Sequence, residues 1–84
     1  MTMYIKDWFY EKEADKAMRY NMFLDVTERN ENGTIKVTDG FVAAKVEETL
    51  QESEKAIKVR ISTGDIDGSV KGWTTWIPKS VVRA

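Results

Sequence analysis

The sequence predicts an α+β fold in which one N-terminal helix is followed by a bent antiparallel sheet or small β-barrel of five or six short strands. A helical pattern is confined to about residues 8–20. Over about residues 22–83, apolar and polar residues alternate with a period of two, and Gly, Asn and Asp interrupt the alternation at short intervals. Such short strands joined by tight turns are typical of antiparallel sheets and barrels. At this length we expect one domain, residues 1–84.

The predicted helix is amphipathic and has favourable ends. Tyr10, Ala14, Ala17 and Met18 are spaced by three or four residues and define one apolar face. Asp7 precedes the first turn, where a carboxylate can accept hydrogen bonds from free backbone N–H groups. Three aromatic residues open the helix and are expected to anchor it in the core: Trp8, Phe9 and Tyr10.

Residues 52–82 contain the clearest β-hairpin in the sequence. Two stretches rich in β-branched and aromatic residues flank a Gly- and Asp-rich loop at Thr63–Gly72, and Pro78 ends the second stretch. Because alternate side chains of a strand point to the same side, each stretch is expected to bury one face. The residues expected to face the core together are Ile57, Val59, Ile61, Ile77, Val42, Ala44 and Val46.

Before this hairpin, short stretches rich in Asn, Asp and Gly predict two tight turns. Residues 30–33, Asn-Glu-Asn-Gly, and residues 39–40, Asp-Gly, suit the positive φ angles of tight hairpin turns. They separate strands predicted at about residues 22–29, 35–38 and 42–50, and a polar turn follows at residues 51–54.

The residue types argue against an enzyme. The chain has no His and no Cys, so the usual nucleophile–base pairs and the imidazole or thiolate metal sites cannot be built. Paired carboxylates need a cleft, which a chain of 84 residues rarely encloses. Residues 65–69, Asp-Ile-Asp-Gly-Ser, look like a fragment of a calcium loop, but Thr63 and Thr74 stand at ligand positions. We predict a hairpin loop there, and a non-enzymatic protein without cofactor or metal site.

Charge is divided unevenly along the chain. Residues 1–54 carry 7 basic and 12 acidic side chains, a net charge of −5, whereas residues 55–84 carry 6 basic and 2 acidic side chains, a net charge of +4. Acidic residues surround the turn before the main hairpin, and basic residues alternate along the strand after it. We predict a partner-binding surface built from these residues and two tryptophans: Glu47, Glu48, Glu52, Glu54, Lys58, Arg60, Trp73 and Trp76.

Two short motifs resemble known protein groups. Residues 76–82, Trp-Ile-Pro-Lys-Ser-Val-Val, resemble the end of a Src-homology-3 domain, in which an aliphatic residue and a proline precede a short helical turn and a last strand. Val81 stands at the place of that family's groove tyrosine, so the resemblance implies a barrel topology rather than binding of proline-rich peptides. The combination E-x-E-K-A at residues 52–56 and W-I-P-K-S at residues 76–80 resembles small proteins encoded by phages, prophages and other bacterial mobile elements.

Three functions are compatible with these observations. The leading hypothesis is a phage- or mobile-element-type protein that docks on a larger protein; one version is an inhibitor of a host nucleic-acid machine, such as an anti-CRISPR protein, whose acidic face occupies a basic channel. The alternatives are a barrel that binds single-stranded nucleic acid by stacking bases on tryptophan, and a structural or assembly factor that self-associates, for example as a homodimer, through an open edge strand. The sequence shows neither a membrane span nor a secretory signal pattern, so we expect a cytoplasmic protein without a membrane partner.

Overall fold

The structure is a computed structural model that describes residues 1–65 and 72–83, and it has the predicted α+β fold. Among these residues, one α-helix, seven strands and a short 3-10 helix follow each other along the chain. Their bounds are β1 (Thr2–Lys6), α1 (Asp7–Met18), β2 (Met22–Leu24), β3 (Val37–Thr38), β4 (Phe41–Glu52), β5 (Ala56–Ile61), β6 (Thr63–Asp65), β7 (Trp73–Pro78) and the 3-10 helix (Lys79–Val81).

Most strands belong to one bent antiparallel sheet in the order β1–β4–β5–β7, with β3 also paired to β4, while β2 and β6 form a small sheet of their own. Strand β4 is the longest, with 12 residues, and extends slightly beyond the strand predicted at about residues 42–50. Its first half pairs with β1 and its second half with β5. Register shifts between Val46 and Glu48 and between Thr49 and Gln51 are β-bulges. Because bulges bend a strand and increase its twist, β4 can take part in both halves of the sheet.

Contacts beyond β7 bring the end of the described chain back to β1. Val82 forms a bridge with Ile5, and the Arg83 N–H donates to the Tyr4 carbonyl oxygen at 2.9 Å. The Arg83 guanidinium carbon lies 4.4 Å from the ring centroid of Tyr4 and 5.5 Å from that of Phe41, within cation–π range. These contacts give the sheet a partly closed, barrel-like form.

The core confirms the predicted inward register of the hairpin. Of the residues predicted to face inward, only Ile57 is not fully buried, and it is half-buried against the others. Val59 has no exposed surface, whereas its neighbour Lys58 is half-buried on the opposite side. The buried cluster draws on the helix and on most of the strands: Ile5, Phe9, Tyr10, Ala17, Leu24, Val42, Ala44, Val46, Val59, Ile61, Ile77 and Val81.

Helix α1 differs from its prediction in its ends and in one apolar residue. It begins at Asp7, so Lys6 and not Asp7 occupies the N-cap position. The helix ends at Met18, whose side chain is 54% exposed, whereas the preceding Ala17 is buried. Successive helical residues are rotated by about 100°, so the buried stripe that contains Ala17 excludes Met18.

Two of the three aromatic residues at the start of α1 anchor it, as predicted. Phe9 and Tyr10 are buried, and the Tyr10 hydroxyl donates to the Leu24 carbonyl oxygen at 3.1 Å. Burial raises the pKa of the Tyr10 phenol, which therefore keeps the proton that makes this bond. Trp8 is 55% exposed, so its assignment to the core was wrong.

The turns follow the sequence, whereas two strand assignments need correction. Asp39 and Gly40 have φ angles of 53° and 80° and join β3 to β4 as a two-residue hairpin turn. The strand predicted from about residue 22 to 29 is regular only in β2, beyond which isolated bridges continue it. Residues 63–65, predicted as loop, form β6 and pair with β2. Thr-Gly-Asp has no apolar alternation, so this strand depends on its partner and not on a local pattern.

Candidate functional site

The second half of β4, together with β5 and β7, forms a three-stranded sheet with one face towards the core and one towards solvent. The register places Gln51, Lys58 and Trp76 in one row across the strands, and Glu48, Arg60 and Thr74 in the next. We call these residues the outer face. It contains four of the eight residues predicted to bind a partner: Glu48, Lys58, Arg60 and Trp76.

The two tryptophans of β7 lie on opposite faces of the sheet. Trp76 is on the outer face and is 41% exposed. Trp73 is half-buried against the core, its ring centroid is 5.8 Å from that of Tyr20, and its Nε1 donates to Glu13 at 3.3 Å. Trp76 is therefore the tryptophan that a partner can contact from the outer face, whereas Trp73 has a packing role.

Two of the four glutamates predicted to bind a partner, Glu47, Glu48, Glu52 and Glu54, form ion pairs with basic side chains. All four are exposed, but Glu48 Oε2 lies 2.9 Å from Arg60 Nη1, and Glu52 Oε2 lies 2.7 Å from Lys79 Nζ. Exposed pairs of this kind contribute about 0–1 kcal/mol to stability. Their main effect is on the surface potential, because each cation offsets the charge of its glutamate. The surface consequently alternates in sign and is less acidic than the sequence suggests.

Gly72 leaves space for the Arg60 side chain to lie against the sheet. A Cβ atom at residue 72 would overlap Cγ and Cδ of Arg60, so only glycine leaves room for this side chain to lie across the start of β7. From there the guanidinium reaches Glu48. Sequence reasoning missed this role because the close approach joins residues of two different strands.

The E-x-E-K-A motif at residues 52–56 and the W-I-P-K-S motif at residues 76–80 meet at one end of the outer face. Ala56 pairs with Pro78, and the Lys79 N–H donates to the Lys55 carbonyl oxygen at 2.8 Å. The Glu52–Lys79 ion pair joins the same two segments. Residues 52–56 and 76–80 therefore form one contiguous surface, although 19 residues lie between them in the sequence.

A buried carboxylate connects the helix to the inner side of β7. Glu13 is 3% exposed and accepts hydrogen bonds from Thr75 Oγ1 and Trp73 Nε1, and Lys16 Nζ lies 3.3 Å from its Oε2. Burial raises the pKa of this carboxyl, but the hydrogen bonds from Thr75, Trp73 and Lys16, with the positive charge of Lys16, outweigh burial and hold the pKa below its ordinary value of 4.5. The group stays charged and fixes Trp73. Its position between Tyr10 and Ala17 in the apolar stripe is the only sequence signal for it.

The remaining chemistry is sparse. Within residues 1–65 and 72–83, no three acidic side chains come together as candidate metal ligands. Most of the calcium-loop-like stretch, residues 66–69, lies outside the described residues. The helices that the structure describes are all too short or too polar to cross a membrane. No protein-family model, curated protein or solved structure matches this chain. The outer face is thus interpreted from its own geometry.

Proposed function

We propose that this protein is a non-enzymatic binding module that docks on a larger protein through the outer face. The observation that carries the proposal is the position of Trp76, a large aromatic side chain that is 41% exposed in the middle of a regular strand. Tryptophan and arginine are the residue types that dominate binding energy at protein interfaces, and here Arg60 lies on the same face. Gly72 leaves room for the Arg60 side chain, and Glu48 pairs with its guanidinium; a side chain that is already ordered loses less conformational entropy on binding.

The charges of this surface favour a protein over a nucleic acid as the partner. Arg60 and Lys79 each contact a carboxylate, with which a phosphate would have to compete. The chain carries a net charge of −1, and a phosphate-binding domain usually has a basic balance. One observation favours the alternative: Lys58 is the cross-strand neighbour of Trp76, and a base could stack on such a pair. Single-stranded nucleic acid therefore remains the second candidate.

The identity of the docking partner is a narrower hypothesis. A mobile-element origin rests on the resemblance of residues 52–56 and 76–80, two segments that lie in contact at one end of the outer face. An inhibitor of a host nucleic-acid machine would use the exposed carboxylates around that surface, chiefly Glu47 and Glu54. The ion pairs of Glu48 and Glu52 weaken this version, because they lower the negative charge that would mimic nucleic acid.

Replacement of Trp76 by Ala is expected to weaken partner binding by about thirtyfold or more, as for a hot-spot residue that contributes at least about 2 kcal/mol. The matched control is Trp8→Ala, which removes another exposed tryptophan from helix α1. Immobilised wild type and both variants would be used to capture a partner from lysate of the source cells, and the captured protein would then be titrated against each. Loss of binding in Trp8→Ala but not in Trp76→Ala would refute the proposal.

Charge reversal separates the two partner classes. If a protein docks here, changing Glu47, Glu48, Glu52 and Glu54 together to Lys should slow association and alter its salt dependence. If the chain binds single strands, the same variant should bind an oligonucleotide more tightly, because phosphate repulsion is removed. A control reversal of Glu11 and Asp15, exposed on helix α1, makes half as large a change in net charge away from the outer face. Tighter oligonucleotide binding with unchanged protein association would favour the nucleic-acid alternative.

A further inference from the structure

Strand β7 has one edge that no other described strand pairs with. Within the described residues, it pairs with β5 on one side and with no strand on the other. Its pairing with β5 is continuous, without a bulge, and its sequence, Trp-Thr-Thr-Trp-Ile-Pro, contains no charge. Natural edge strands usually carry charges, bulges or prolines that prevent pairing with another chain. In β7 only the terminal Pro78 is of this kind.

The hydrogen-bond pattern identifies the backbone groups that face this edge. In an antiparallel pair, opposite residues alternate between pairs that exchange hydrogen bonds and pairs that do not. The Lys79 N–H donates to the Lys55 carbonyl oxygen, and this pair continues the register of β5 and β7. Counting back in steps of two, the residues of β7 that bond to β5 are Trp73, Thr75 and Ile77. The N–H and C=O groups of Thr74 and Trp76, and the C=O of Pro78, therefore point to the open edge.

We propose that the partner of this edge is a second copy of the chain, paired antiparallel about a two-fold axis at Thr75. Thr74 then lies opposite Trp76 of the second copy, and each residue donates to and accepts from the other. Gly72 lies opposite Pro78 of the second copy, and its N–H donates to the Pro78 carbonyl oxygen. Because proline has no N–H, no donor is left unpaired at that position. Moving the axis to Trp76 uses fewer of these donors, whereas moving it to Thr74 uses the same three and differs in placing the two copies of Thr74 opposite each other.

The other open edge shows why self-pairing belongs to β7. Beyond Val46, the second half of β4 also has no described neighbour on the side away from β5. That half carries Glu47, Glu48 and Glu52, so pairing with its own copy would bring like charges close together. β7 is uncharged. When a second copy runs antiparallel to it, the free N–H groups of each copy lie opposite free C=O groups of the other. The dimer would join the two sheets and place both copies of Trp76 on one continuous outer face.

Sedimentation equilibrium of the wild type at increasing protein concentration tests this inference. We expect the average mass to rise from that of a monomer towards that of a dimer. Thr74→Pro removes an edge N–H without removing a bond to β5, and should raise the dimer dissociation constant by about tenfold or more. Thr49→Pro is the matched control: its N–H faces the open edge of β4, since Val59 opposite it bonds to β7. A wild type that stays monomeric up to about 1 mM, a weak affinity, or an equal effect of both prolines would overturn the proposal.

Disulfide trapping tests the register and does not depend on the folding of a proline variant. The chain has no cysteine, so engineered thiols report without background. A mixture of Thr74→Cys and Trp76→Cys chains should form a mixed disulfide, because paired Cα atoms would be about 5.5 Å apart. Crosslinking in a sample of Thr74→Cys chains alone, or of Trp76→Cys chains alone, would place the axis at that residue and overturn this register. Partner capture by a strictly monomeric chain would refute the dimer and leave the proposed docking function intact, so the two proposals fail separately.

Discussion

Truncation of Ile61 to Ala is expected to lower the free energy of unfolding by about 2–4 kcal/mol. Ile61 has no exposed surface, and it pairs with Val46 on one side and with Trp73 on the other. Strands on both sides hold the backbone around the residue, so the cavity left by the truncation cannot easily collapse. Urea titration followed by circular dichroism would measure the loss.

The control for this prediction is Leu50→Ala, which shortens an aliphatic side chain on β4 that is 36% exposed. Removal of a partly exposed side chain leaves no closed cavity, so we expect a loss below about 1 kcal/mol. Equal losses for the two variants would show that Ile61 is not at the centre of the core.

Replacement of Glu13 by Ala is expected to cost about 2–4 kcal/mol at neutral pH, because Trp73 Nε1 and Thr75 Oγ1 lose a charged acceptor in a site that water cannot easily reach. Glu13→Gln keeps the shape and one acceptor oxygen, so its loss should be smaller. Lys16 is not expected to add a penalty, since its side chain is half exposed and can be solvated. Thermal and urea unfolding of the three proteins would rank them.

The pH dependence of this loss has a definite sign. The folded-state pKa of Glu13 lies below the ordinary 4.5, so the charged carboxylate stabilises the fold above that value, and its contribution disappears as pH falls through the lowered pKa. The stability difference between wild type and Glu13→Gln should be constant near neutral pH and shrink in acid. Glu11→Gln, exposed on the same helix, is the control for the loss of one negative charge. A difference that grows on acidification would contradict the hydrogen-bonded, charged state of Glu13.

The sequence predicted the fold best where one face of a strand is buried. The period of two at Ile57, Val59 and Ile61 set the register of the hairpin, and Asp39-Gly40 marked a turn whose φ angles few other residues adopt. The prediction that Ile77 faces inward also puts Trp73 on the inner face of β7, although residue type alone favours neither tryptophan. The burial of Ile77 and the Thr75–Glu13 contact, between residues distant in sequence, show that Trp73 is the inner one.

The candidate site was harder to predict because its geometry depends on the bulges of β4. Each bulge shifts the pairing by one residue, so the partner of Glu48, which lies beyond a bulge, cannot be counted from the turn. The ion pairs with Arg60 and Lys79 follow from that shifted pairing and from the 3-10 helix. Residue types and spacing thus identified the charged surface, while its division into ion pairs required the three-dimensional register.

The position of β1 has a consequence for how the chain folds. Its pairing partners are far away along the chain, since Thr2 pairs with Lys45 and Ile5 bridges Val82. Such contacts form only after a long loop has closed, whereas the β4–β5 hairpin needs only a short turn. We therefore expect the hairpin to form early and β1 to dock late. Until β1 docks, the edge of β4 and the apolar site of Ile5 are exposed, and this stage of folding is the one most vulnerable to aggregation.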